Sequence, residues 1–493
     1  MISHIHLIAI CGTAMGTLAG MLKAKGFRVT GSDENVYPPM STQLEKWGIE
    51  IQKGFKAEHL NSKPDLVIVG NAVSKTNPEV EALLASGIRY LSLPQALGEF
   101  FLEGKKSLVV AGTHGKTTTT SLLAWALFDL KKDPSFLVGG IPQNFNSSFH
   151  LGNGEYFVIE GDEYDTAFFD KGPKFWHYHP FKAILTGVEF DHADIYRDLD
   201  HLMQSFKKFV ELIPKEGALY LCGDNENNLK LQKYAECPIV TYGLGKDCAL
   251  RAEKIEFNSE GASFDLIWNK KSLGNFRSPL PGKHNLQNLL GVLALILDQG
   301  SPSPQPSPVK GEGDKKRIPS PPAGEGQGEG QFLQLVQNSI LNFKSVKRRQ
   351  EVRGVVKGIT IIDDFAHHPT AVAETIEAIR GKYPGQKIWA IFEPRSNTSK
   401  RAIFQHDFAK ALALADEVVI AKVFMPEKVK DGPLLNVAQM AEEISKNGIK
   451  VKQDLNVDEI ISHVTSQAKT GDVLLIMSNG GFGGIHQKLL ETI

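Results

Sequence analysis

Residues 112–119 read Gly-Thr-His-Gly-Lys-Thr-Thr-Thr, between an apolar run that starts at Ser107 and an apolar, helix-compatible pattern that ends at Leu130. Gly112 and Gly115 let the backbone turn successive N–H groups inward, and Lys116 is long enough to reach terminal phosphates. The hydroxyl of Thr117 or Thr118, at a helix N-terminus, is a hard oxygen suited to Mg2+. Thr113 and His114 complete the loop. The chemistry predicted is binding of ATP or GTP, with the Lys116 ammonium turned to phosphate and to no core partner. The longer phosphate-loop pattern wants a glycine where Val110 stands, so only the short form is present.

Two further segments carry acids and imidazole beyond apolar runs. Tyr156–Glu160 leads into Gly-Asp-Glu-Tyr-Asp (161–165), and Ala183–Val188 leads into Glu-Phe-Asp-His-Ala-Asp (189–194). In a nucleotide enzyme such groups hold magnesium across the phosphates. Glu160 is the sharper candidate, because a carboxylate that ends an apolar strand is poorly solvated and needs a partner. Asp162, Glu163 and Asp165 read equally well as a solvated acidic loop.

The elements that must position these groups are repeated strands, turns and helices, which make an α/β chain. At 493 residues the chain is long enough for about three domains. A hydrophobic content of 42 %, with 23 % charged residues and a net charge of −1, predicts a globular enzyme with no general attraction to nucleic acid or membrane. Four cysteines without CxxC spacing suggest neither disulfides nor a zinc ribbon, and no apolar run is long enough to span a bilayer. A cytoplasmic protein is expected, a monomer in the simplest case.

The N-terminal stretch is itself Rossmann-like: a strand over His4–Ile10, then Gly12-Thr13-Ala14-Met15-Gly16, a helix to about Lys25, and Ser32-Asp33 after the second strand. The glycine spacing departs from the dinucleotide fingerprint, so a nicotinamide cofactor is a weak alternative. Asn71 ends the next strand. Farther on, Ser301–Gln331 is Pro, Ser, Gly and Glu with almost nothing apolar, and reads as a disordered insert within a domain. The last third adds the basic run Val-Lys-Arg-Arg (346–349), then Asp364, His367 and His368, then Arg395 and Asn397 in Glu-Pro-Arg-Ser-Asn-Thr, and finally Ser478 and Asn479 before a glycine cluster.

Taken together, the phosphate loop, the Pro-Gly-Lys-His-Asn segment at 281–285, the basic junction and the Asp-Phe-Ala-His-His-Pro run resemble the Mur ligase family. These are ATP-dependent enzymes that join amino acids or peptides to peptidoglycan precursors. The resemblance implies a three-domain architecture with a Rossmann-like N-terminal domain (1–103), a central P-loop ATPase-like domain (104–344, interrupted by the insert) and a Rossmann-like C-terminal domain (345–493). It places UDP-N-acetylmuramate against Gly12, Thr13, Ala14, Met15, Gly16, Ser32, Asp33 and Asn71. It places ATP against the loop, His284, Asn285, Arg349 and Asp364, and Mg2+ against Thr117, Glu160 and His192. The incoming peptide falls to His367, His368, Arg395, Asn397, Ser478 and Asn479, with Lys116, Glu160 and His192 as the catalytic set. Several family members hold a second magnesium with a carbamylated lysine, and Lys207 lies at the matching distance from His192. The branch that acts on the muramoyl carboxylate does without it, so Lys207 and Lys208 are expected as surface charges. The motifs at 35–41, 393–398 and 478–485 favour a tripeptide, L-alanyl-γ-D-glutamyl-meso-diaminopimelate, as acceptor, with free L-alanine as the alternative. A nucleotide switch without product chemistry would have little need of the metal groups.

Overall fold

A computed structural model describes residues 2–36, 40–192, 195–299, 326–429 and 432–493. Continuous apolar runs such as Leu66–Val69 and Val473–Met477 are fully buried, as strands covered on both faces by helices must be. Such strands build the three large sheets; among the described residues there is also a two-stranded ribbon of Asp165–Ala167 and Asp170–Pro173. The first has five parallel strands in the order Glu50–Lys53, Arg28–Asp33, His4–Ile8, Leu66–Val69, Tyr90–Ser92. Its opening strand stops at Ile8, short of the expected Ile10, because Ala9 turns into the left-handed region at φ 66°.

The second sheet has ten strands. Its parallel centre places Lys106–Ala111 between Tyr156–Gly161 and Pro180–Leu185, with Ala218–Cys222 and Ile239–Gly243 beyond. An antiparallel meander over Leu250–Asn258, Gly261–Trp268 and Lys271–Ser278 extends one edge, a feature the sequence reading did not separate out. The third sheet orders six strands around Val473–Met477, flanked by Ile359–Asp364 and Ile388–Phe392.

One sequence expectation changes. The helix Gly326–Leu341 begins inside the stretch read as disordered, so residues 326–331 are helical; Phe332, Leu333, Val336 and Ile340 of the same helix pack on the central core. Residues 301–325 lie outside the described residues, as do Tyr37–Pro39 of the 35–41 motif and Ala193 and Asp194. Lys207 and Lys208 sit on the Leu199–Glu211 helix with their ammonium groups over the rings of Tyr234 and Trp176, at 4.8 and 3.6 Å. They pack as amphipathic side chains. Among the described residues no helix is long and apolar enough to cross a membrane.

The carboxyl ends of the central strands of the second and third sheets face one another. Thr398 donates to Asp191 at 2.6 Å, Thr370 donates to Glu189 at 2.8 Å, and Arg349 donates to the Thr117 hydroxyl at 3.3 Å. Loops at such strand ends are where open parallel sheets place ligands.

Candidate active site

The phosphate loop follows Lys106–Ala111 and enters the Lys116–Asp129 helix. Its two glycines are required by both backbone and space. Gly112 has φ 131° and a Cβ there would lie 2.2 Å from the Thr186 hydroxyl; Gly115 has φ 79° and a Cβ would lie 2.4 Å from Asn288 Oδ1. Thr113 fastens the loop by donating its hydroxyl to the Glu189 carbonyl and accepting from the Glu189 N–H, each at 3.0 Å. Thr118 is buried in the first helical turn.

Lys116 departs from expectation. Its ammonium donates to the Gly112 and Thr113 carbonyls and to both oxygens of Glu163, at 2.8 and 2.7 Å. Glu163 is 1 % exposed and its Oε1 also meets His192 Nε2 at 3.0 Å. The acid read as part of a solvated loop is therefore the centre of a Lys116–Glu163–His192 triad. Asp162 is paired with Lys174, and Asp165 with Lys171 at the surface. Burial works against every charge in the triad. Mutual attraction outweighs it, raising Lys116 and His192 and lowering Glu163.

That shift makes a testable pH dependence. The folded pKa of His192 is raised above its ordinary 6.5, so the stabilisation from its bond to Glu163 is complete below pH 6.5 and disappears as pH rises through the folded value. An NMR titration of the His192 ring is expected to show a midpoint above 6.5 that drops in Glu163→Gln; equal midpoints in the two proteins would contradict the pairing.

Glu160 is the penultimate residue of the neighbouring strand Tyr156–Gly161, and its partners are the Gly139 N–H at 2.7 Å and the Thr117 hydroxyl at 3.1 Å. Burial pushes its carboxyl pKa up. Thr117 and Glu160 thus present hard oxygens side by side next to Lys116, a donor set that fits Mg2+ bridging phosphates. The Arg349 guanidinium reaches the same hydroxyl from the third domain.

Other expected residues also make contacts within the protein. Asn285 donates to the Pro281 carbonyl, while Asn288 of the same segment lies against Gly115. His284 stands 3.4 Å from the Gln350 amide, and burial, with Arg349 nearby, takes its pKa down to about 4. Asp364 accepts from the N–H groups of Gln350 and Ala366 and from the Thr375 hydroxyl, so it braces the domain junction. Ser478 is buried and donates to Glu393, which removes it from the cavity face. In the first domain, Gly12, Thr13, Ala14 and Asn71 are exposed, but Met15 and Gly16 are buried, and Met40 covers Gly16. Ser32 donates to the buried Glu79, and Asp33 accepts from the Cys11 and Asn35 N–H groups. The second strand's end thus braces the turn at Gly12–Gly16.

Between the triad and the third sheet lies a cavity of about 270 Å³. His192, His367, Arg395, Asn397 and Asn479 line it, together with Lys400 and Lys428, which the sequence reading missed. No local motif marks those lysines. Arg395 stacks on Phe424 at 3.7 Å, and Asn479 leaves a buried Oδ1 without a hydrogen bond among the described residues. Arg348, also missed, ties the junction to the glycine cluster through the Ser478 and Gly480 carbonyls.

A P-loop helix and a buried carboxylate facing a second α/β domain across a cation-lined cleft define a three-domain ligase of the ATP-dependent, amide-forming class. Comparison with known families agrees over nearly the whole chain. Residues 4–104 match the Mur ligase family catalytic domain, 110–296 the Mur ligase middle domain, and 348–480 the Mur ligase glutamate ligase domain. The chain belongs to the Mur ligase family. It is 40 % identical to the UDP-N-acetylmuramate–L-alanyl-γ-D-glutamyl-meso-2,6-diaminoheptandioate ligase of Escherichia coli (strain K12), over 99 % of this chain and 98 % of that one. It is 31 % identical to the UDP-N-acetylmuramate–L-alanine ligase of Clostridium acetobutylicum, over 99 % and 97 %. Among solved structures, a murein peptide ligase from Psychrobacter arcticus matches with a TM-score of 0.70 at 36 % identity, covering 99 % of this chain and 98 % of that one. The UDP-N-acetylmuramate–alanine ligase of Thermotoga maritima matches with a TM-score of 0.77 at 24 % identity, covering 100 % and 99 %, which speaks for the fold alone.

Proposed function

We propose that this ligase joins L-alanyl-γ-D-glutamyl-meso-diaminopimelate to UDP-N-acetylmuramate, using ATP and Mg2+, in the recycling of cell-wall peptide. The observation that carries the reading is the cavity beside the triad. Arg395, Lys400 and Lys428 supply three cations to a space of about 270 Å³, a charge and size that suit an acceptor with several carboxylates better than a single amino acid. The 40 % identity to the Escherichia coli enzyme supports the same acceptor.

In this reading the first domain (1–103) holds the UDP sugar at Gly12, Thr13, Ala14, Met15, Gly16, Ser32, Asp33 and Asn71, the central domain (104–344) holds ATP, and the third (345–493) brings the peptide. The lactyl carboxylate attacks the γ-phosphorus and ADP leaves, giving an acyl phosphate. The peptide amine then attacks the acyl carbon, and the tetrahedral intermediate expels phosphate. Thr117, Glu160 and His192 would hold Mg2+, which lowers the repulsion between phosphate and carboxylate. Lys116 spreads the charge of the transferring phosphoryl group, a task of position and electrostatics. Arg395 and Asn479 orient the peptide. The four free cysteines suit a cytoplasmic setting.

The test is phosphate release by purified protein with ATP, Mg2+ and UDP-N-acetylmuramate, offered either tripeptide or L-alanine. A kcat/KM for the tripeptide higher by about 10²-fold or more is expected, since a site built for several polar groups rejects an acceptor that leaves them unpaired. Equal or better use of L-alanine would assign the biosynthetic reaction instead.

A further inference from the structure

We propose that His114, Glu189 and His368 form a divalent-cation site of the zinc class, separate from the magnesium groups, that ties the phosphate loop to the third domain. His114 belongs to the loop, Glu189 to the segment after Pro180–Leu185, and His368 precedes the Pro369–Lys382 helix of the third domain. One ligand atom from each lies within 4.8 Å of the others. The His114 Nε2 to Glu189 Oε2 separation is 3.6 Å, beyond a hydrogen bond and close to the spacing of two ligands on one metal.

The second observation is what His368 lacks. It is 4 % exposed, and neither ring nitrogen has a hydrogen-bond partner among the described residues; His114 Nε2 is likewise buried and unpartnered. Buried polar atoms are rarely left so, and one nitrogen from each imidazole brought within 4.8 Å of the same carboxylate suits a ligand that accepts lone pairs.

The protonation states suit the role. Burial, with His114 beside it, takes His368 down to about 4, so its imidazole is neutral near pH 7. His114 and the Thr370 hydroxyl hold the Glu189 carboxyl down at about 2. Thr370 also fixes the carboxylate by donating to it at 2.8 Å, and the His368 ring is set by His114 at 4.7 Å and Phe404 at 5.1 Å between centroids. Such supporting contacts orient metal ligands. Two imidazoles and one carboxylate favour zinc or cobalt over magnesium, which prefers oxygen, and leave a coordination position open. Because the ligands come from both sides of the cleft, binding there favours the arrangement in which the third domain is docked on the loop.

The test uses the full-length protein stripped with chelator and dialysed, without nucleotide, against Zn2+ in excess Mg2+, with metal content read by elemental analysis. One Zn2+ per chain is expected. Its affinity should fall at least about tenfold in His368→Ala and in Glu189→Gln, since losing even an outer support of a metal ligand costs about 10–100-fold. Glu160→Gln should leave it unchanged. Failure to retain Zn2+, or retention abolished by Glu160→Gln and indifferent to His368→Ala, overturns the site. Should the His368 variant fold poorly, Co2+ in the wild type decides: visible bands of an imidazole-bound cobalt support the site, and a spectrum of hexaaqua cobalt overturns it. Neither readout depends on which acceptor the enzyme uses.

Discussion

Lys116→Ala will lower ATP-dependent phosphate release by about 10²–10³-fold or more, the scale on which a single positioned charge-stabilising group acts at a transferring centre. The geometry makes the experiment less simple than a phosphate loop alone would suggest. Lys116 is the main partner of a carboxylate that is 1 % exposed, and its removal leaves Glu163 with His192 as the remaining cationic neighbour. An unpaired buried charge destabilises, so the variant is expected to melt below the wild type. The double variant Lys116→Ala/Glu163→Gln removes both charges together. It should recover most of the melting temperature and none of the turnover. Near-normal phosphate release by the single variant would remove the loop from the chemistry; recovery of turnover in the double variant would mean that Glu163, not Lys116, had been the group at fault.

Glu160→Gln is expected to raise the Mg2+ concentration needed for half-maximal turnover by about 10–100-fold, with the fold kept. Glutamine has the same shape: its carbonyl oxygen can still accept from the Gly139 N–H, 2.7 Å from native Oε1, and its NH2 can donate to the Thr117 hydroxyl oxygen, 3.1 Å from native Oε2. What it loses is charge, and a hard cation discriminates sharply on charge. Burial already presses Glu160 toward its neutral form, so the native carboxylate is held ready for a cation at an energetic disadvantage that Mg2+ would relieve. His192→Ala should move the titration in the same direction. A magnesium titration identical to that of the wild type in both variants would show that the metal is held elsewhere.

Much of this was already legible in the order of residues. The phosphate loop is a local device: Gly112 and Gly115 adopt positive φ, and a lysine followed by threonines at the head of a helix can be recognised without any distant contact. The strands Ile388–Phe392 and Val473–Met477 fall where continuous apolar runs placed them, because a strand covered on both faces tolerates little else. The family resemblance rested on such short, locally determined segments.

What tertiary structure alone decided is which side chains of those segments face the cleft. Residues beyond a strand end turn according to the loop's dihedral angles and the domain packed opposite, and neither is written in a local pattern. Hence Glu163, not a solvated acid, became the partner of Lys116 and His192, and Ser32, Asp364 and Ser478 turned inward to brace turns and junctions. Hence also Lys400 and Lys428 reached the cavity with no motif to announce them, and His114, Glu189 and His368 came together from the loop, a strand end and another domain. Hydrophobic periodicity specifies the elements because burial is a property of each residue; convergence of charged groups is a property of pairs, and is fixed only when the sheets dock.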